Sequence, residues 1–225
     1  MANNDRSTKR ERRDEAKKRR LEEIKRRQRK ARMRKVYTVA GITLAVVGLA
    51  AWIALAKANS GKKDKAFNAI ALANGCSSVE NPRVLAGSHI VPPAKGSYDT
   101  DPPTSGAHYN QAGLGPVATG IWNTPVPNES QVHNLEHGHI VIQYESTLDP
   151  AVLEALKATV KTDATWYLLA PRENMPAPLV FTAWGHMEKC GTPTTSSIKV
   201  LAAFHDRFKN KGPEPDRPWP TPTGV

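Results

Sequence analysis

The sequence predicts an α+β domain, a small mostly antiparallel sheet with packed helices and a long Pro/Gly-rich loop region, behind one N-terminal transmembrane helix. Three observations predict it. Residues 36–56, VYTVAGITLAVVGLAAWIALA, are 21 positions without a charge, and as a helix they span roughly 31 Å, the thickness of a bilayer core. Residues 81–130 are rich in proline and glycine with little periodicity, which marks loop. From residue 138 onward, short β-branched runs alternate with apolar stripes of helical period.

Of 32 Lys and Arg in the 225-residue chain, 17 lie in residues 1–35 beside 6 acids, and residues 36–225 carry 15 of each. The net charge of +11 is therefore N-terminal and the body is neutral. Residues 1–35 predict a basic helix, because Asp14/Lys18, Glu15/Arg19, Glu22/Arg26 and Glu23/Arg27 stand at i,i+4 spacing. Its roles could be a topology-fixing retention signal, attraction to anionic lipid at about 1 kcal/mol per basic residue, or RNA binding. No aromatic residue interleaves the basic run, so no specific nucleic acid is expected as a partner. The positive excess before residues 36–56 predicts a cytoplasmic N-terminus and an extracytoplasmic C-terminal part in the cell membrane. Ala54-Leu55-Ala56 and Ala56-Lys57-Ala58 fit a signal-cleavage pattern, but the flanking charged and apolar stretches are too long for an ordinary signal, so an uncleaved anchor is expected.

Residues 57–66, small and polar, read as a flexible linker. The folded domain is expected over 67–212. Residues 138–145, GHIVIQYE, alternate Ile140, Ile142 and Tyr144 with His139, Val141 and Gln143, a two-faced strand. Asp149-Pro150 caps a helix of about 14 residues with Val152, Leu153, Leu156 and Val160 on one stripe. Strands follow at 165–170 and 179–184. Ser196 or Ser197 caps a last helix with Ile198, Leu201, Phe204 and Phe208 inward, ended by Gly212-Pro213. Residues 213–225 hold five prolines and read as a disordered tail.

Cys76 and Cys190 both fall on the oxidising side of the predicted topology, so a disulfide between them is expected. It would close a loop of more than 100 residues, worth about 4 to 5 kcal/mol in the chain-entropy description. A redox role is disfavoured because no C-x-x-C is present.

Two histidine-bearing segments carry the candidate chemistry. One is Asp101-Pro102-Pro103-Thr104-Ser105-Gly106-Ala107-His108, a diproline feeding a tight turn; the other is His133-Asn134-Leu135-Glu136-His137-Gly138-His139. Both are similar to the signatures of a family of membrane-anchored bacterial proteins, domain-of-unknown-function family 3105. The resemblance covers roughly residues 75–210 and includes Trp184-Gly185 ahead of Cys190. It implies an extracytoplasmic domain behind one span and supplies no activity. His139 is an extra histidine that the family pattern does not lead one to expect.

By themselves, His133-x-x-Glu136-His137 match the H-x-x-E-H zinc pattern, but Gly138 and a strand follow at once, leaving room for one helical turn where a peptidase needs a longer helix. A metal site without hydrolysis is the stronger reading. His108, His133, His137 and Glu136 are its candidate ligands with His139, while His89 or His186 could also converge, and copper or zinc are the candidate ions. Met187 beside His186 would add a soft ligand suited to copper. The competing reading is a satisfied hydrogen-bonded network that pins the loop, in a non-enzymatic module for envelope interaction or assembly. Ser105 with His108 and Asp101 poses a hydrolase as a third reading, weakened by the absence of G-x-S-x-G. An enzyme is therefore less expected than a binding protein, a carrier of the ion or an accessory to a membrane metalloprotein, with a membrane protein complex as its partner. His205 and the tryptophans Trp122, Trp166 and Trp184 read as packing.

Overall fold

The computed structural model describes residues 2–215. The chain divides after Gly61 into two units. Helix α1, Ala2–Ala73, contributes all of the described part of the first. Its apolar stretch is long and apolar enough to cross a membrane, with a mean hydropathy of 2.3 over the best window. Val39, Leu44, Trp52 and Leu55 on this stretch are each more than half exposed, as suits a helix whose outer surface meets hydrocarbon. Residues 57–66, expected as a flexible linker, are helical as part of α1. Alanine and lysine are good helix formers and no proline interrupts them.

The second unit begins at Lys62. The end of α1 enters its core through Phe67 and Ala71, and Asp64 is paired with Arg207. The 81–130 stretch is loop apart from three two-residue strands, β1 (His89–Ile90), β2 (His108–Tyr109) and β3 (Gly120–Ile121), and the start of helix α2 (Asn128–Glu136). Then follow β4 (Ile140–Tyr144), α3 (Pro150–Thr162), β5 (Tyr167–Pro171), β6 (Leu179–Ala183), β7 (His186–Cys190), a 3₁₀ turn at Thr195–Ser197 and α4 (Ile198–Phe208).

Asp149 caps α3 by accepting from the Ala151 N–H, with Pro150 in its first turn. Ser197 stands at the N-cap of α4, as expected, but makes no side-chain cap bond there; the 3₁₀ turn before it is capped by Thr194, in a reciprocal pair with Ser197. α4 stops at Phe208, and Asn210 takes the left-handed conformation two residues before the expected glycine stop. β7 has no counterpart among the strands expected from the sequence, the last of which ends at 184; it follows β6 through a tight turn at Trp184-Gly185.

The class is α+β. The main sheet has the order β3-β5-β4-β6-β7. It is mixed: β3 and β4 each run parallel to β5, whereas β4–β6 and β6–β7 are antiparallel. The parallel pair arises because α3 carries the chain from the end of β4 back to the start of β5. Alternation along the strands then sorts side chains to two faces. Ile140, Ile142, Leu169 and Phe181 face α3, α4 and the end of α1, meeting Leu156, Phe204 and Phe67. Val141, Leu168 and Ala170 face the other way, onto Leu135 of α2, Val126, Trp122 and Trp184. Cys76 and Cys190 form a disulfide across a separation of 114 residues, fixing the exit of α1 to the edge strand β7. The second face, covered by α2 and the proline-rich loops, carries the histidine motifs.

Candidate metal centre

The diproline motif is buried from Pro102 to Gly106, and Thr104, Ser105 and Gly106 each hold a neighbour. The Ser105 Oγ accepts from the Leu85 N–H at 2.9 Å, and the Thr104 carbonyl accepts from the Gly185 N–H at 2.9 Å. Gly106 sits at φ +126°, with the Tyr98 ring where a side chain would project. This backbone aims its carbonyl back at His108, whose Nδ1 donates to it at 2.9 Å. The motif thus selects one tautomer of His108: with its proton on Nδ1, the neutral ring presents a lone pair at Nε2.

The second motif is carried by α2. Where the sequence allowed one helical turn before Gly138, the structure has a nine-residue helix through Glu136. His133 and Glu136, three residues apart, share a face. His133 donates from Nδ1 to the Tyr109 carbonyl at 2.6 Å, so its neutral ring carries its proton on Nδ1. Burial, reinforced by His108, His137 and His89, pulls the His133 pKa down to about 4 against the raising effect of the Tyr109 carbonyl. The ring is therefore neutral at pH 7, the form that ligates metals.

One ligand atom each from His89, His108, His133 and Glu136 lies within 4.8 Å of all the others. The parallel pairing of β1 and β2 places His89 in register with His108. His108 and His133 have ring centroids 4.7 Å apart. The His108 Nε2 stands 2.8 Å from the Glu136 Oε2, yet neither atom has a hydrogen-bond partner among the described residues. They are in contact by distance but out of line for a bond. The walls are close: a methyl group on Gly87 would lie 2.4 Å from the Glu136 Oε1 and 3.2 Å from Trp184, and Trp184 meets the His108 ring edge-on at 6.5 Å.

Of the ligands expected from sequence, His108, His133 and Glu136 come together, joined by His89, which the sequence named without a place. His137 is not among the four. Its ring stacks on His133 at 4.9 Å and its Nδ1 is bonded to the Glu214 carbonyl at 2.8 Å. His139 donates from Nδ1 to the Asn134 carbonyl at 3.0 Å, lies against Trp166, and has a pKa lowered to about 4 chiefly by burial. The first residues of the expected tail are engaged here too, since the Glu214 N–H donates to the Glu136 carbonyl at 3.1 Å. The other tail residues, 216–225, lie outside the described residues.

His186 stacks on Phe208 and holds Asn81 through Nδ1 at 2.7 Å, while Met187 packs with Ala177 and Val180; neither joins the cluster. Successive strand residues point to opposite faces, so the two could not ligate together. His205 bridges to Asp163 at 3.2 Å. The expected serine constellation does not assemble: the Asp101 carboxylate is paired with Arg172, and the Ser105 hydroxyl and His108 Nδ1 bond to backbone as described. Trp184 and Gly87 are the site residues that sequence reasoning missed as such, because a wall made by close approach leaves no motif.

No curated protein and no solved structure matches this chain. A family model described as "Protein of unknown function (DUF3105)" matches residues 89–219, more than half of the sequence and all four converging side chains. The chain belongs to that family.

Proposed function

We propose that His89, His108, His133 and Glu136 bind a divalent transition-metal ion, and that the protein serves as a membrane-anchored carrier of that ion or as an accessory to a membrane metalloprotein. The observation that carries this reading is the contact between His108 Nε2 and Glu136 Oε2. With His108 donating from Nδ1 to Gly106, its Nε2 and the Glu136 Oε2 are two acceptor atoms held 2.8 Å apart in a buried place with no hydrogen bond between them, an arrangement that a cation bound to both makes favourable. The backbone carbonyls behind His108 and His133 are the outer partners that fix the tautomer and orientation of metal-ligating histidines. Four ligands around an ion at about 2.0 to 2.1 Å stand roughly 3.4 Å apart in a tetrahedron, so side-chain rotations of about an ångström close the cluster.

Three imidazoles and a carboxylate suit zinc or copper(II). Both cysteines are in the disulfide and Met187 is packed elsewhere, which argues against a site tuned to copper(I). The positive excess of residues 1–35 places the domain outside the cytoplasm in this reading, where the ion's destination would be a protein of the same membrane.

The test uses the full chain in detergent, titrated calorimetrically with zinc and with copper(II). One equivalent is expected to bind, to be lost in His108→Ala and His133→Ala, and to persist in His137→Ala. If the wild-type protein takes up no ion, the cluster is a structural network and an assembly role replaces metal binding. If His137→Ala also abolishes binding, the four-residue ligand set is wrong.

A further inference from the structure

The four side chains are unequally enclosed. His108 is fully buried, and His133 and Glu136 are 3 % and 4 % exposed, whereas the His89 side chain is 48 % exposed. The inner three are also anchored, two through backbone carbonyls and the third by the helix that also carries His133. His89 has no such anchor. Both of its ring nitrogens lie near one partner, the Asn110 side-chain amide, at 3.1 and 3.4 Å, and Asn110 is itself exposed. Its Nε2 stands 4.0 Å from the Glu136 Oε2, against 2.8 Å for His108.

We infer that His89 is the exchangeable ligand of the site, through which the ion enters and is handed to an acceptor. This inference rests on the metal-binding reading above. The buried His108, His133 and Glu136 hold the ion with three donors, and His89 completes the coordination from the solvent side. Transfer begins when the bond between the metal and the His89 ring nitrogen breaks and a lone pair of the incoming ligand takes its place; further donors of the acceptor then replace Glu136, His133 and His108 in turn as those bonds break. The ion keeps its charge, no electron moves, and the acceptor presents nitrogen, oxygen or sulfur donors at the exposed edge. Three fixed donors with a fourth position that can be vacated to solvent resemble the open zinc sites, with three protein ligands and one replaceable one, more than the closed sites with four fixed ligands.

The experiment loads the full chain in detergent with zinc and adds an excess of the chromogenic chelator 4-(2-pyridylazo)resorcinol, following release by absorbance. The variant His89→Ala is expected to hold one zinc still and to release it about tenfold faster or more, whereas His108→Ala retains none. Circular dichroism of both apo variants checks that each is folded, and His89→Gln gives a second, milder replacement that should also release faster. Release from both His89 variants at the wild-type rate overturns the inference, as does complete loss of zinc from His89→Ala when His108→Ala behaves the same way. Failure of the wild-type protein to bind zinc overturns the metal reading and this inference with it, and that result is distinct from the other two.

Discussion

His108 and Glu136 touch at 2.8 Å between Nε2 and Oε2 without a hydrogen bond between them. They come from β2 and α2, 28 positions apart, brought together because α2 packs over β2. The contact makes the carboxylate the most informative place to substitute.

Replacing the carboxylate by an amide gives His108 a donor in place of a second acceptor. Glu136→Gln is expected to raise the melting temperature of the metal-free protein, by the worth of about one hydrogen bond, about 1 kcal/mol, and to weaken zinc binding by about tenfold or more. Thermal unfolding in chelator and calorimetry in zinc read the two effects. A lower melting temperature in chelator would instead identify an imidazolium–carboxylate pair, the structural network.

Gly106 holds its carbonyl on His108 through a backbone that an L-side chain rarely adopts. Gly106→Ala is expected to cost about 1 to 2 kcal/mol from the left-handed conformation, with more from the Tyr98 contact. Denaturant unfolding measures the cost, and zinc affinity should fall as well because His108 loses the partner that orients it. Unchanged affinity in a folded variant would show that Gly106 acts on stability alone.

The disulfide closes more than a hundred residues. Cys76→Ser with Cys190→Ser is expected to lose about 4 to 5 kcal/mol by the chain-entropy relation, read as a lower urea midpoint. Because the histidine cluster lies on the opposite face of the sheet, the variant should still bind zinc wherever it remains folded.

Glu188, fully buried on β7, has its carboxyl pushed up to about 8 by burial, with Glu80 adding to this and the Ser77 hydroxyl opposing it. The folded state therefore binds this proton more tightly than the unfolded chain does. Its contribution is fully present below the ordinary value of 4.5 and is lost as pH rises through about 8, with a slope of up to about 1.4 kcal/mol per pH unit. Urea unfolding across that window should show falling stability in the wild type and a flatter profile in Glu188→Gln. Equal slopes in the two proteins would remove Glu188 as the cause.

Much of the second half of the domain was legible because its signals are local. Ile140 and Ile142 against Val141 announced a two-faced strand, Asp149-Pro150 announced the start of α3, and Phe204 and Phe208 sit where the helical stripe put them. The 81–130 region was legible only as loop. Two-residue strands such as β1 and β2 carry no periodicity, and α2 follows Pro127 without a side-chain cap, so its start had no sequence signal.

At the site, the motifs named His108, His133 and Glu136, which converge, and also His137, expected beside His133 from the i,i+4 spacing, which stands outside that group of four. Both pairs, i,i+3 and i,i+4, share a helix face, and spacing cannot choose between them. His137 is the residue that caps α2, and the chain returning at Glu214 engages its Nδ1, leaving Glu136 to face His108.

The sequence by itself determined the apolar segment long enough to cross a membrane, the α+β class, the family, and the residues among which a site must be sought. These follow from composition, period and motif, which are properties of contiguous residues. Tertiary structure decided that the sheet is mixed, that His89 stands in register with His108, and that His137, His139 and His186 face elsewhere. Those outcomes depend on which backbone carbonyl each ring meets and which segment packs over which. Such partners lie 24 residues away for His133 and 77 for His137, and only the folded chain brings them together.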